Sequence, residues 1–401
     1  MRPFFCWDSI FIVGRILLEP SLTDIVVVSP MSLLRRFYDL IKSNSPFVGS
    51  KSRQIQREVD TLRVYMLTQY HKELSSGVKI DRNEFFGRAE NVSHDSQVQA
   101  VEENLLGQVG RLFAIFYDCD PQAKPPEDDL SEKSAANRSV YDELEQEGVE
   151  PDSFPIHNPG ISRRRRVPES DKEDAFNIFN GALRAAMGFS VHTRPSLIPG
   201  AGDGVFVEGT VPPGAVVALY PGVVYLRDYV QAGDHDGLFG SEDDGAYTIS
   251  RFDGTIINAD CPLIGRHTPL AVGHIVNHPS GIPDASSSAS PGSEILEAKL
   301  FDQPNVMVFP INFPRERGEG DENAALRPQW YPYIPNTYYK PATVWSTEEA
   351  KNSQVQGLAL IATREIADGE IYLDYRYNQS LKLPAWYKPV NVEENERRWA
   401  K

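Results

Sequence analysis

Cysteine is scarce in this chain. Only three occur in 401 residues, Cys6, Cys119 and Cys261. That is too few for a disulfide framework or a cysteine-rich zinc site, so no metal is expected and a reducing, intracellular setting is indicated. Long apolar runs are missing as well. None reaches the length that spans a bilayer, so no membrane partner is expected. The opening "FFCWDSIFIVGRILL" carries Asp8 and Arg15 and lacks a small-residue cleavage site, which argues against a secretory leader. Positive charge is the third shortage: 40 Lys and Arg stand against 56 Asp and Glu, a formal net charge of −16. This balance excludes general affinity for nucleic acid and suits a basic partner, such as a Lys/Arg-rich peptide.

What is present suffices for a folded core. Hydrophobic residues make up 41% and aromatics 10% of the chain, over a length that allows about two or three ordinary domains. Residues 1–30 form an N-terminal extension with no assigned structure, and residues 31–119 read as a helical region. Ile55, Val59, Leu62, Met66, Tyr70 and Leu74 recur at three- and four-residue spacing, with Gly77 as a stop. Val98, Val101, Leu105, Val109, Leu112 and Phe116 repeat the pattern over 96–117. These stripes predict core and carry no chemistry. Residues 120–168 are acidic and proline-rich and read as a linker. It closes on "RRRR" at 163–166, either a nuclear-localisation patch or a solvated charge run. From Met31, "MSLLRRFYDLIKSNSPFVGSKSR" is basic and almost free of acids. A mitochondrial destination therefore stays open beside nucleus and cytoplasm, although an amphipathic helix is the plainer reading.

Ser170 and Glu173 make a capping box for a helix through Met187, with Phe176, Phe179, Leu183 and Met187 on one face. Short β-branched runs then alternate with Gly/Pro turns. Together these predict an α+β chain: a β-rich module over 169–390 behind the small helical region, followed by a tail at 391–401. Insertions at 226–245 and 279–303, acidic and Ser/Ala/Pro-rich, read as surface loops. One hairpin is expected between "GVFV" and "AVVALY" across Pro212-Pro213-Gly214, another between "YTISRF" and "GTIINA" across Asp253-Gly254. The strands "LALIAT" and "EIYLDY" are expected to turn at Gly369-Glu370.

Taken singly, the polar residues of this module have dull explanations. Gly202 and Gly204 either serve a turn or let a ligand lie against the backbone, and a lone G-x-G does not decide between the two. An Asn-His pair such as Asn277-His278 is more often a capped turn than a site. Tyrosines at a strand end, such as Tyr375 and Tyr377, are usually half-buried core with a wet hydroxyl.

Together and in order, these segments resemble the SET-domain family of S-adenosylmethionine-dependent protein-lysine methyltransferases. The resemblance is carried by Gly202-Asp203-Gly204, Tyr220-Pro221-Gly222, Asp253-Gly254 with Ile257-Asn258-Ala259, Asn277-His278, Pro304-Asn305, and Thr363-Arg364 through Tyr375. Within the family, "VPPGAVVALYPGVVY" and "YIPNTYY" resemble one branch, while "LYPG", "VGHIVNH", "LDYRY" and "PAWYK" are similar to a branch that mono-methylates histone H3. The resemblance implies a β-clip fold with knot-like threading, S-adenosylmethionine as cofactor, and a lysine-containing, basic protein or peptide as substrate. It implies that Tyr375 is the catalytic tyrosine, with Tyr220 and Tyr377 lining the lysine channel. Gly202, Asp203, Gly204, Val205, Asn277 and His278 would hold the cofactor, and Trp386 would be a lid over its adenine. Three departures stand out. The family's N-H-S-C-x-P-N run is split between Asn277-His278 and Pro304-Asn305, the cysteine-rich zinc site after the domain is absent, and Val308 stands where the mono-methylating branch has a tyrosine. A catalytically silent module that binds peptides or serves as a scaffold is the alternative implied by the split.

Overall fold

The computed structural model describes residues 51–120, 156–157, 169–227, 247–259, 268–279, 303–314, 326–336, 338–340, 354–379 and 383–399. The N-terminal extension, the basic run, nearly all of the linker and most of both insertions lie outside the described residues. Five helices are described: α1 (Lys51–Ser75), α2 (Arg82–Glu90), α3 (His94–Cys119), α4 (Glu169–Met187) and α5 (Val392–Trp399). Among the described residues no helix is long and apolar enough to cross a membrane.

Strands fall into three small sheets, and with the helices they make an α+β architecture. β2 (Phe189–Pro195), β3 (Asp203–Val211) and β11 (Ile366–Glu370) form one, in the order β11-β3-β2. The second, β4-β10-β8, joins β4 (Val216–Leu219), β8 (Val306–Phe313) and β10 (Val355–Ala362). The third runs β1-β9-β5-β7-β6, from β1 (Ile156–His157), β5 (Val223–Tyr225), β6 (Thr248–Ser250), β7 (Ile256–Asn258) and β9 (Tyr338–Lys340). All pairings are antiparallel except β5 with β9.

The hairpin expected at Asp253-Gly254 is present: β6 pairs with β7 across a turn closed by Arg251 N–H on the Thr255 carbonyl, 2.8 Å. The hairpin expected at Pro212-Pro213-Gly214 is not. β3 pairs with β2 and β11, and β4 with β10, so the turn carries the chain from one sheet to another. The reason is burial. All four residues of β4 are buried, and the strand needs cover on both faces, which a lone hairpin cannot supply. Ser170 is likewise not a cap, since α4 already begins at Glu169.

The helices and sheets share one core. Val101, Leu105, Val109, Leu112, Phe113 and Phe116 of α3 pack in the same buried cluster as the strand residues of the sheets. Phe113 stacks on Phe313 at 6.3 Å, and Phe116 meets Phe179 at 5.2 Å. The two stripes read from the sequence each fray at one end, at Leu74 of α1 and Val98 of α3, which are exposed. Helix α1 buries more than its expected face: Val64 and Leu67 join the main core, while Leu62 and Met66 pack on Phe85 and Ala89 of α2.

Polar ties lock the helical layer to the sheets. Buried Gln108 donates from Nε2 to the Gly214 carbonyl (3.0 Å) and accepts from Val216 N–H (2.8 Å). Gly214 has φ 80°, and a Cβ there would run into the Leu67 carbonyl, so this turn accepts only glycine. Beneath it lies His71, buried, its Nδ1 without a hydrogen-bond partner. Burial, helped by Arg111, pushes its pKa down to about 4 from 6.5. The unfolded chain takes up this proton near the ordinary value and the folded one only near 4, so stability is lost as pH falls through that window. We expect wild type to lose about 2 kcal/mol more than His71→Leu between about pH 7.5 and about pH 5. Denaturant titrations of both proteins at the two pH values test this, and equal losses would remove His71 as the cause.

Candidate active site

The site begins where β2 gives way to β3. Ser196 N–H donates to the Gly202 carbonyl (2.9 Å), closing the turn that leads into Asp203. Gly202 has φ 73°, and no heavy atom lies within 4 Å of the place a Cβ would take. Gly204 differs. A Cβ there would meet the carboxylate of Glu370, with Asn277 Nδ2 at 3.3 Å, so the space beside this glycine is filled by a side chain of the protein itself.

Glu370 ends β11, and the bulge before it sets its direction. Asp368 takes φ 42° while its Oδ1 accepts from Gly209 N–H at 2.7 Å, and the register with β3 shifts there. A bulge of this kind re-aims the side chains that follow it. Gly369-Glu370 therefore lies inside a strand and is not the turn expected from the sequence. Glu370 is 4% exposed and accepts from Ser196 Oγ (2.7 Å), Leu197 N–H (2.8 Å), Tyr372 O–H (2.9 Å) and Asn277 Nδ2 (3.4 Å). Burial and this carboxylate together raise the Tyr372 phenol well above its usual range. Asn277 Nδ2 also donates to the Asp203 carbonyl at 2.9 Å, which joins the glycine loop to the Asn-His pair.

The chain after Glu370 runs between Asn277 and Asn305. Ile371 N–H donates to the Val205 carbonyl (2.8 Å) and Leu373 N–H to the Asn277 carbonyl (2.9 Å). Asn305 clasps the other side: its Oδ1 accepts from Tyr372 N–H (2.7 Å) and its Nδ2 donates to the Glu370 carbonyl (2.9 Å). Asn277 and Asn305, separated in sequence by the insertion, thus bond to the same short segment.

Tyr375 follows. Its O–H donates to the Val276 carbonyl at 3.0 Å and its N–H to His278 Nδ1 at 3.2 Å. His278 Nε2 lies 2.8 Å from the Lys388 carbonyl, which can only accept. The two contacts assign the tautomer with hydrogen on Nε2, and burial keeps the imidazole neutral by lowering its pKa. Burial, with Tyr377 and Tyr247 nearby, raises the Tyr375 phenol, so it stays protonated. Arg376, between the two site tyrosines, has φ 51°. That left-handed conformation costs a residue with a Cβ about 1–2 kcal/mol, so its surroundings must impose it.

Aromatic rings close the group. Tyr375 and Tyr377 are 5.5 Å apart, and Trp386, 51% exposed, stands 6.2 Å from Tyr375 and 6.4 Å from His278. Tyr387 packs 4.6 Å from His278 and receives Tyr377 N–H on its hydroxyl at 3.1 Å. Tyr220 is tied in through Tyr247, its O–H on the Tyr247 carbonyl at 2.7 Å. Between Tyr220 (6.4 Å) and Tyr247 (5.7 Å) sits His274, whose buried Nδ1 has no partner and whose pKa burial lowers to about 4.

Of the residues singled out in the sequence, Tyr375, Tyr377, His278 and Trp386 therefore form one cluster. Asn277 links Gly202–Val205 to it, and Tyr220 reaches it through Tyr247. Sequence reasoning missed Glu370, Tyr372, Tyr247 and Tyr387. The signal for Tyr387 was its place beside Trp386 in "PAWYK"; "DGE" around Glu370 reads as a turn and hid it.

No family model matches the chain. It is similar to SET domain-containing protein 9 of Pongo abelii, 27% identical over 216 residues that cover 47% of this chain and 63% of the relative. It is equally similar to SET domain-containing protein 9 of Homo sapiens, 27% over 216 residues, with 47% of this chain and 58% of the relative covered. The chain thus spans about three fifths of the length of the curated relatives it matches.

Because four donors converge on Glu370, Glu370→Gln turns one acceptor oxygen into an N–H₂ facing N–H and O–H groups. We expect a loss of about 2–3 kcal/mol in urea unfolding, the cost of buried donors left unsatisfied. A change below about 0.5 kcal/mol would mean that the carboxylate does not organise the site.

Proposed function

We propose, from this chain's distant relationship to the SET-domain family, that it transfers a methyl group from S-adenosylmethionine to a lysine side chain of a basic protein or peptide. The parallel bridges of Tyr372 with Asn277 and of Leu373 with Val306 support the knot-like threading this reading expects. The residues present fit the cofactor. Beside the turn at Gly202 there is open space, Trp386 offers a half-exposed indole, and the orphaned Nδ1 of His274 marks a polar interior between two tyrosines. Gly202, Asp203 and Val205 with Asn277 and His278 would hold it largely through backbone groups, since the Val205 and His278 side chains are buried, and Trp386 would cover its adenine; Gly204 serves by admitting Glu370.

The observation that carries the reading is how two hydroxyl protons are engaged. Tyr375 O–H is given to the Val276 carbonyl and Tyr220 O–H to the Tyr247 carbonyl. Toward a third group both oxygens can therefore act only as acceptors. Two acceptors can hold the N–H bonds of an incoming amine, and neither competes for its lone pair, which must stay free to attack. S-adenosylmethionine supplies an electrophilic sulfonium methyl group, and the protein supplies alignment. The lysine must arrive neutral. Its ordinary pKa of about 10.4 makes deprotonation near pH 7.4 cost roughly 4 kcal/mol. On this reading a channel lined by Tyr375, Tyr377 and Tyr220 would desolvate the ammonium and lower that cost. Tyr375, protonated throughout, orients the amine and does not act as the base.

Tyr375→Phe tests the assignment. Turnover of radiolabelled methyl into protein of a cell extract should fall by about 100-fold, the size of losing a positioned polar group. Cofactor affinity should stay near wild type, and stability should drop by about 1 kcal/mol, for the Val276 carbonyl left without its donor. A wild-type rate in the variant would reduce Tyr375 to a core residue. A wild type that binds cofactor or peptide but transfers nothing would make the chain a silent binding module.

A further inference from the structure

The last two turns of the described chain and its first helix meet at the residue between the two site tyrosines. Asp60 of α1, its side chain 2% exposed, receives Arg376 at 3.1 Å and Arg398 of α5 at 2.7 Å on one oxygen. Its other oxygen accepts from Gln56 Nε2 at 3.1 Å. Glu394 of α5 completes the ring, 3.4 Å from Arg376, 3.8 Å from Arg63 and 3.0 Å from Gln56 Nε2. Gln56 also receives Arg397 at 3.1 Å, and Asp374 stands 3.8 Å from Arg376. Burial alone would raise the Asp60 carboxyl, but Arg376, Arg398 and Arg63 outweigh it and hold the group below its usual range.

What distinguishes this cluster from ordinary helix glue is where its backbone bonds go. Trp399 Nε1 donates to the Arg376 carbonyl at 3.0 Å, and Asn395 Nδ2 to the Tyr377 carbonyl at 3.1 Å. Helix α5 thus satisfies both carbonyls of the strained step, while Tyr387 satisfies the Tyr377 N–H. Among the described contacts of the step, the Arg376 side chain alone reaches α1, at Asp60. We infer that Asp60 is a remote positioning residue of the site: by seating Arg376 and Arg398 together it presses α5 onto Arg376-Tyr377 and so fixes the spacing of Tyr375 and Tyr377. Its effect on turnover rests on the methyl-transfer reading, but its effect on geometry does not.

Native-state hydrogen exchange on the full chain, without ligand, tests the geometry. In wild type, Tyr377 N–H and the amides of α5 should open as one unit, below the global unfolding free energy. Asp60→Asn leaves two guanidinium groups facing each other and risks unfolding, so the informative variant is Asp60→Asn with Arg398→Gln. That pair removes one charge of each sign and keeps an oxygen acceptor for Arg376. It should speed exchange at Tyr377 by about tenfold or more while the Leu358–Ile361 amides of β10 keep their protection. In the methyl-transfer assay kcat should fall by about tenfold with KM for S-adenosylmethionine within about twofold, and Asp60→Glu should recover part of kcat. Unchanged protection at Tyr377 in the double variant, or separate opening of Tyr377 and α5 in wild type, overturns the inference. Should the wild type transfer no methyl, the methyl-transfer reading falls, and the exchange data still decide the positioning role.

Discussion

Glu370 accepts hydrogen bonds from four groups in a space closed to water, and the site is organised by the cost of leaving any of them unmade. A buried carboxylate without donors is among the least tolerable arrangements in a protein interior. Ser196 and Leu197 bring the loop after β2, Asn277 brings the Asn-His pair, and Tyr372 brings the segment leading to Tyr375. Three stretches of chain, far apart in sequence, are therefore fixed by a single side chain. Gly204 and the bulge at Asp368 follow from the same demand: the one makes room for the carboxylate, the other aims it.

Around this centre the protein uses two kinds of attachment. Apolar packing is broad and undirected, and it joins α3 to the β4-β10-β8 sheet through Phe113, Phe116 and Tyr333. Directed polar ties then set the register. Gln108 bonds on both sides of the turn at Gly214, and Tyr333 O–H reaches Asp120 at 2.9 Å. Arg251, buried in the β6-β7 hairpin, donates to the Ile311 and Gly357 carbonyls and to Asn312. The third sheet is thereby hung from the edge of the second. Gln108 and Arg251 satisfy backbone groups left over by the sheets and the turn between them, which is why long polar side chains occupy apolar surroundings.

How far the sequence could be read depended on the range of the interactions involved. Helical periodicity is local, so α1 and α3 were legible from Leu62, Met66, Val101, Leu105 and Phe116. The β6-β7 hairpin was legible too, because Asp253-Gly254 carries its own turn chemistry. By contrast, the partners of β3 and β4 are chosen by burial across the whole domain, and a turn between them says nothing about that choice. Among the described side chains of helix α2 only Phe85 and Ala89 are buried, too weak a stripe to stand out. In the site, the tyrosines and the Asn-His pair were found through a family pattern. Glu370 was not, because the bulge that turns it inward depends on Gly209, about 160 residues earlier.

The Asp60–Arg398 contact spans 338 residues, and that distance has a kinetic consequence. Loop-closure entropy rises only slowly with length, so the finished contact is not weak for being remote. Its formation, however, needs two segments near opposite ends of the described chain to meet, and loop-closure entropy must be met before such distant pairings reward it. An intermediate with its apolar core already buried would still have the Arg376 and Tyr377 carbonyls unsatisfied. Refolding should therefore regain compactness first and the tyrosine geometry afterwards, as two phases separated in time.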